Sequence, residues 1–389
     1  MGDKAQAPLM GATAIRPPER KGAEAYTYIL YDPKNGTILT RTPKSWGLII
    51  LFYCIYYSCL AAFWLACMKI FLTIQIQDPS AIDNAKPTWT MDKSIIGVRP
   101  GIGMRPLQTY EEVDSGIFEL DIPDVISEDK MKEEYKKYKE ENMIDDEKDK
   151  FIMENYLMNV KGSKGYAYRA KQFFQVYENN KENNIGKKCG EDDIVDGKYR
   201  KEGVDFCQFD TSELGDCQNF PYGYSKSGGF NPCVFVKMNR IMGLKPAPIT
   251  NNTQDESVKK DEVSQKIIDL LVSNKEESEK NVYINCEGLA PADKEFVKIN
   301  VYPKSKIPSA PPGLAKIPLK YFPYSKFMKD DEGRSANESP MIAVRFENLE
   351  KANGRLVHVM CKAFFHGVVH SKKDKAGLVQ FEVFLNDKN

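Results

Sequence analysis

The chain has 389 residues, with 55 basic and 55 acidic side chains and 42% apolar residues. Balanced charge supplies no basic face to release phosphate counterions, so composition makes no case for a nucleic-acid partner. A negative mean hydropathy, with the apolar residues gathered into one long run, excludes a multi-span membrane protein; the length allows one large domain or two ordinary ones.

Residues 1–45 are polar and aperiodic and read as a cytoplasmic tail that ends in a turn at "YDPKNGT". Residues 46–76 follow as an apolar run. About 20 helical residues cross the roughly 30 Å hydrocarbon core, so this run spans it with room to tilt. It is long for a signal peptide, lies well inside the chain and has no small-residue cleavage site after it, which predicts an uncleaved anchor. Arg41 and Lys44 precede the run and Asp78 and Asp83 follow it. Basic residues stay on the cytoplasmic side, so the predicted topology is type II, a single span with the C-terminal part outside.

Within the run, Tyr53, Tyr57, Leu60 and Trp64 fall at i, i+4, i+7 and i+11 and form one bulky stripe. Ser58, Ala62 and Ala66 recur every fourth residue on nearly the opposite face, a pattern that lets a second helix approach closely. Tyr56 and Tyr57 lie too deep for an interfacial aromatic belt, and a phenol in lipid lacks a hydrogen-bond partner. The stripe is therefore expected to face protein.

Residues 77–106 are rich in Pro and Gly ("GVRPGIGMRP") and read as an extended stalk. Residues 107–160 form a charged segment. Its part 127–157 is dense in Glu and Lys, with Met131, Tyr135 and Tyr138 at helical spacing, and predicts a solvated helix with a thin apolar stripe. Residues 161–389 form the last domain, where short alternating runs such as "EFVKINVYP", "PMIAVRFENL" and "LVQFEVFL" between Pro/Gly turns favour an antiparallel sheet or sandwich.

Of nine cysteines, Cys54, Cys59 and Cys67 lie in the apolar run and read as small packing residues. Cys189, Cys207, Cys217, Cys233, Cys286 and Cys361 all follow it. An even number beyond the span suggests disulfides in an oxidising compartment, with the pairing open among fifteen possibilities. Glycosylation sequons stand at Asn251 and Asn337; a third, Asn35, falls on the cytoplasmic side and is expected to remain unmodified.

Catalytic signals are missing. "GEDDIVDGK" has the wrong spacing for a phosphate loop, and Tyr199 stands where Ser or Thr would hold magnesium. His358, His366 and His370 have no further ligands to complete a zinc site, and no G-x-S-x-G occurs. The reading is of a non-enzymatic protein that uses no cofactor or metal.

Several ordered motifs are more specific. "GTILTRTPKSW" (36–46) and "FYCIYYSCLA" (52–61) flank and enter the span. "PYGYSKSGGFNPCVFVKMNRIMGLKP" (221–246), "LKYFPYSKF" (319–327), "PMIAVRFENL" (340–349) and "VMCKAFFHGVVHSKKDKAGLVQFEVF" (359–384) follow it. Together they make the chain resemble the β subunits of the Na⁺/K⁺- and H⁺/K⁺-pumping ATPases from about Asn35 to the end. The resemblance implies one span carrying a mostly-β, immunoglobulin-like antiparallel sandwich, to which the charged helix is added. It also implies sequential disulfides, Cys189–Cys207, Cys217–Cys233 and Cys286–Cys361.

A plasma-membrane protein that pairs with a catalytic α subunit is the role implied, with folding and delivery of that subunit and tuning of K⁺ affinity as its work. Contacts to α would come from Tyr53, Tyr56 and Tyr57 in the span and from Tyr321, Phe322, Pro323 and Tyr324 outside it. Further partners would be membrane lipid and a small single-span regulatory subunit. Departures from the family pattern are Ser325 in the "YFPYS" segment, Ser58 and Ala62 in place of glycines, Lys69, and residues 107–160, which have no clear counterpart. An H⁺/K⁺-ATPase β subunit and a type II adhesion glycoprotein are the alternatives; a Golgi glycosyltransferase would need a D-x-D motif that is missing.

Overall fold

Thr42 and Pro43 start the first helix by local chemistry. The Thr42 hydroxyl accepts from the Ser45 amide at 3.4 Å, and Pro43 occupies the first helical position, where its missing N–H costs nothing. Helix α1 then runs Pro43–Gln75, 33 residues, about 50 Å at 1.5 Å per residue. Just before it, Tyr31–Asp32 pairs with Thr37–Ile38, and the Trp46 indole donates to the Ile38 carbonyl at 2.7 Å. The computed structural model describes residues 31–32, 36–39, 41–75, 101–109, 117–142, 153, 156–201, 206–239, 241, 244–250, 258, 261–322, 338–373 and 376–387. They divide into two units, Met1–Gln77 and Asp78–Asn389.

Among the described residues of the second unit, nine strands form two main sheets: β1 Ile102–Arg105, β2 Ile117–Leu120, β3 Cys233–Met238, β4 Asn281–Gly288, β5 Lys298–Tyr302, β6 Leu314–Pro318, β7 Met341–Glu347, β8 Leu356–Phe364 and β9 Leu378–Leu385, beside a short pair Ile194–Val195 and Tyr199–Arg200. One sheet has the order β6-β4-β8-β9-β2 and the other β1-β3-β7-β5. Residues of both sheets, among them Phe235, Val301 and Val344 from one and Val282, Val359 and Phe381 from the other, belong to one hydrophobic core. Successive residues of β3 and β7 are buried rather than alternate ones. Side chains alternate across a strand, so both faces of these strands are covered.

Three expectations change at this level. The five-stranded sheet is not wholly antiparallel: β2 pairs in parallel with β9, Leu120 opposite Leu385. A parallel partner needs no hairpin, so β2 can come from a distant segment, and it comes from residues assigned to the charged insertion. Strand β1 likewise lies in the segment expected to be a stalk and pairs with β3. Third, the domain expected to be a mostly-β sandwich also carries a long helix, Gly162–Glu182.

Helix α2, Glu128–Asn142, is the charged helix predicted, and its stripe is docked rather than solvated. Met131 and Tyr135 are buried, and Tyr156 packs its ring against Tyr135 and Tyr138. Helix α3, Gly162–Glu182, buries Tyr166, Ala167, Ala170, Phe174 and Tyr177 along one side, which is the helical period. Phe174 meets Phe235 of β3 at 4.8 Å and Tyr166 meets Phe118 of β2 at 5.0 Å. The carboxylate of Asp121, just past β2, accepts from the Ser163 amide at 2.7 Å, a negative charge at the helix N-terminus. Lys164 pairs with Glu134 at 2.6 Å and Lys171 with Glu128, so α2 is tied to α3. Helix α4, Glu262–Ser273, is capped by Asp261, whose carboxylate also holds Lys362 of β8 at 2.6 Å. Its Ile267, Ile268 and Leu271 form a second cluster with Tyr283, Leu314 and Phe364.

Candidate functional site

In α1 the stretch Pro43–Phe71 is long and apolar enough to cross a membrane, and none of it is buried within the chain. The tyrosines are arranged as the helical spacing predicts. Tyr53 and Tyr57 stack at 5.9 Å, Phe52 and Tyr56 at 6.2 Å, and Tyr56 meets Tyr57 edge-on at 5.3 Å. Tyr53 is 50% exposed and Tyr57 60%, so among the described residues of the first unit these rings make an exposed aromatic surface. Cys54, Cys59 and Cys67 are unpaired and exposed on the same helix. Such a surface can pack against other helices and offer phenol hydroxyls to them.

The "PYGYSKSGGFNPC" segment is structural. Tyr222 and Tyr224 are buried, and burial pushes both phenols up from their ordinary value. Tyr222 packs on Phe174 at 5.2 Å and on Phe235 at 5.7 Å, while the Tyr224 hydroxyl donates to the Cys233 carbonyl at 2.8 Å. Between them Gly223 has φ +77°, and a Cβ there would lie 2.0 Å from the Asn231 carbonyl oxygen. Only glycine fits that turn. The disulfide Cys217–Cys233 anchors the start of β3 from outside the sheet. Arg345 of β7 pairs with Asp216 beside that bridge.

Cys286 and Cys361 are bonded where β4 and β8 bring them opposite each other in register. Cys189 and Cys207 are bonded next to an isolated bridge between Lys187 and Cys207. These are the three pairs that the resemblance implied.

Tyr321 and Phe322, expected as contacts to α, are both buried in their own domain. The Tyr321 ring packs on Phe209 at 5.3 Å, its hydroxyl accepts from the Asp210 amide at 3.5 Å, and the Phe322 carbonyl accepts from Arg200 at 3.0 Å. Pro323, Tyr324, Asn251 and Asn337 lie outside the described residues. The two residues after Asn337, however, are core residues. Glu338 is 7% exposed and accepts from Asn180 Nδ2 at 3.0 Å and from the Phe209 amide. The Ser339 amide and carbonyl both bond to the Tyr177 hydroxyl, at 3.1 and 2.8 Å. Burial raises the Glu338 carboxyl to about 7, against the two hydrogen bonds that lower it. Sequence reading passed over Glu338 because a glutamate inside N-E-S looks like surface. Among the described residues no group of His, Cys, Asp and Glu is placed to hold a metal ion.

The family model for the sodium/potassium ATPase beta chain matches residues 16–159 and 145–381. The chain belongs to this family.

Its relatives include the sodium/potassium-transporting ATPase subunits beta-1 and beta-2 of Drosophila melanogaster. The first is 28% identical over 375 residues, 95% of each chain; the second is 26% identical over 373 residues, again 95% of each. The beta-1 subunit of Tetronarce californica is 23% identical over 377 residues, 92% of this chain and 95% of its own. The matched residues of this β chain include 107–159, the stretch set apart as lacking a counterpart. That stretch contains strand β2, and its helix α2 is docked on α3, so it is part of the folded domain. As a member of a β-chain family, the protein is an accessory subunit of an ion-pumping ATPase.

Proposed function

We propose that this β chain crosses the plasma membrane once through α1, with its N-terminus in the cytoplasm and its two-sheet domain outside. The two-sheet domain is an immunoglobulin-like sandwich. The chain carries out no ATP chemistry of its own. It pairs with a catalytic α subunit of the Na⁺/K⁺-transporting type, allows that subunit to fold and reach the cell surface, and tunes its K⁺ affinity. Tyr53, Tyr56 and Tyr57 lie against α-subunit helices. The small-residue face of Ser58, Ala62 and Ala66 accommodates lipid or a small single-span regulatory subunit. Outside the membrane, Pro323 and Tyr324 carry the contact of the "YFPYS" segment, while Tyr321 and Phe322 hold that segment to the domain.

The observation that carries this reading is the family match over nearly the whole chain; the exposed aromatic face of α1 supports the finer assignment. The relatives' names favour the Na⁺/K⁺ over the H⁺/K⁺ pump. Purification of the tagged full chain from native membranes in mild detergent should bring down a large multi-span P-type ATPase subunit in near-equal amount. Recovery of the chain alone, or with adhesion partners and no such subunit, would overturn the proposal.

A further inference from the structure

The disulfides differ in what surrounds their sulfurs. Cys217, Cys233, Cys286 and Cys361 are each exposed by 1% or less, and the Cys286–Cys361 bond lies within a sheet between paired strands. The third bridge is built otherwise. Cys207 is buried, but Cys189 is only half-buried and lines an open cleft of about 440 Å³. Lys181, Lys188 and Lys320 stand on the cleft walls together with Glu178 and Asp210. The cleft therefore offers both signs of charge, suited to a zwitterionic peptide thiol that carries carboxylates and an ammonium group. Around the bridge, the Lys187 amide bonds to the Phe206 carbonyl at 3.0 Å and the Gln208 amide to the Lys187 carbonyl at 2.9 Å. These bonds join the two flanks to each other besides the disulfide itself.

We propose that Cys189 is a site of reversible thiol–disulfide exchange, at which a small peptide thiol enters the cleft and forms a mixed disulfide while Cys207 is released. The attacking thiolate forms a new S–S bond to Cys189 Sγ as the Cys189–Cys207 bond breaks. The electron pair leaves on Cys207 Sγ, which then takes a proton from water. One disulfide replaces another, so nothing is oxidised or reduced overall. The return attack of Cys207 on the mixed disulfide restores the bridge, aided by the backbone bonds that join the two flanks. Access selects the site: the same thiol cannot reach the other four sulfurs without unfolding the sheets.

The test uses the full chain in its native membrane, exposed to reduced glutathione for increasing times and quenched with an alkylating reagent. Peptide mapping should show glutathione on Cys189 and alkyl label on Cys207. These should appear at least roughly tenfold faster than any label on Cys217, Cys233, Cys286 or Cys361, because exchange rate follows sulfur access. Asn219→Trp, an exposed position on the cleft wall, should slow the glutathione reaction several-fold and leave the other bridges intact. First opening at a buried bridge, glutathione found on Cys207 instead of Cys189, or an unchanged rate in a folded Asn219→Trp protein would each overturn the proposal. Should that variant lose its buried bridges without any thiol added, the order of labelling in the wild-type chain decides the matter alone.

Discussion

Glu338 joins three segments through one side chain, because its two oxygens receive Asn180 of α3 and the amide of Phe209 beside the Cys207 bridge. Both partners are donors, which favours the carboxylate, but burial outweighs them and holds the group up to about 7 rather than 4.5. A carboxyl raised on folding adds stability that is fully present below about pH 4.5 and is lost as pH rises through about 7. The shift corresponds to at most about 3 kcal/mol. Glu338→Gln removes this titration, and its amide group must turn a donor toward one of two donors, a cost of about 1–3 kcal/mol. The substitution should therefore be most destabilising near pH 5 and become nearly neutral near pH 8, since all other groups titrate alike in both proteins. Thermal unfolding of the detergent-solubilised chains at the two pH values measures this, and a cost independent of pH would remove the assignment.

Helix α1 shows how far an element can be read from spacing. The pairs Phe52–Tyr56 and Tyr53–Tyr57 stack because residues four apart share a helix face. What they touch beyond the chain is decided by their hydroxyls. Against lipid, Tyr53→Phe and Tyr57→Phe would be neutral or mildly favourable. Against α-subunit helices, each lost hydroxyl should cost about 0.5–1.5 kcal/mol, too little to prevent assembly. A pump balanced between two conformations responds to such a difference if the contact changes between them. The double variant should reach the cell surface in normal amount with apparent K⁺ affinity altered by up to roughly tenfold. Phe63→Leu, off the stripe, is the control and should change little. Identical K⁺ activation at matched surface expression would leave these tyrosines as packing residues only.

For the molecule as a whole, the long-range disulfide carries the larger consequence. Cys286–Cys361 closes a sequence separation of 75 and Cys217–Cys233 one of 16. By chain entropy they contribute roughly 4–5 and 3 kcal/mol, each comparable to the net stability of an ordinary domain. Cys286→Ser or Cys361→Ser should leave the β4–β8 pair misformed and the subunit retained inside the cell, as read by surface biotinylation. Active surface protein with free thiols at both positions would refute that dependence. Orientation is tested by the sequons. In the type II arrangement Asn251 and Asn337 carry glycans and Asn35 carries none. Asn→Gln at each position, with gel mobility compared before and after glycosidase, checks this, and a mobility shift lost in Asn35→Gln would reverse the topology.

Features set by neighbours in sequence were legible at the start. The apolar run, the tyrosine stripe and the stripe of α2 follow from helical period, a property of residues three and four apart. The late strands follow from alternation, and the motifs marked the family. The helical period of α3 was also present, in Tyr166, Ala170, Phe174 and Tyr177, but reading 161–389 as sheet hid it. Other features depended on partners far along the chain. The place of β2 is decided by β9, and the burial of Tyr321 by Phe209. Glu338 is decided by Phe209, 129 residues away, and Ser339 by Tyr177, 162 away. Local pattern cannot encode such pairings, because the same short polar or apolar segment is surface or core according to what the fold brings against it. The sequence by itself determined the span, the strand-forming segments and the family; only the tertiary structure decided which charged and aromatic residues went inside, since burial is a property of the contact and not of the residue.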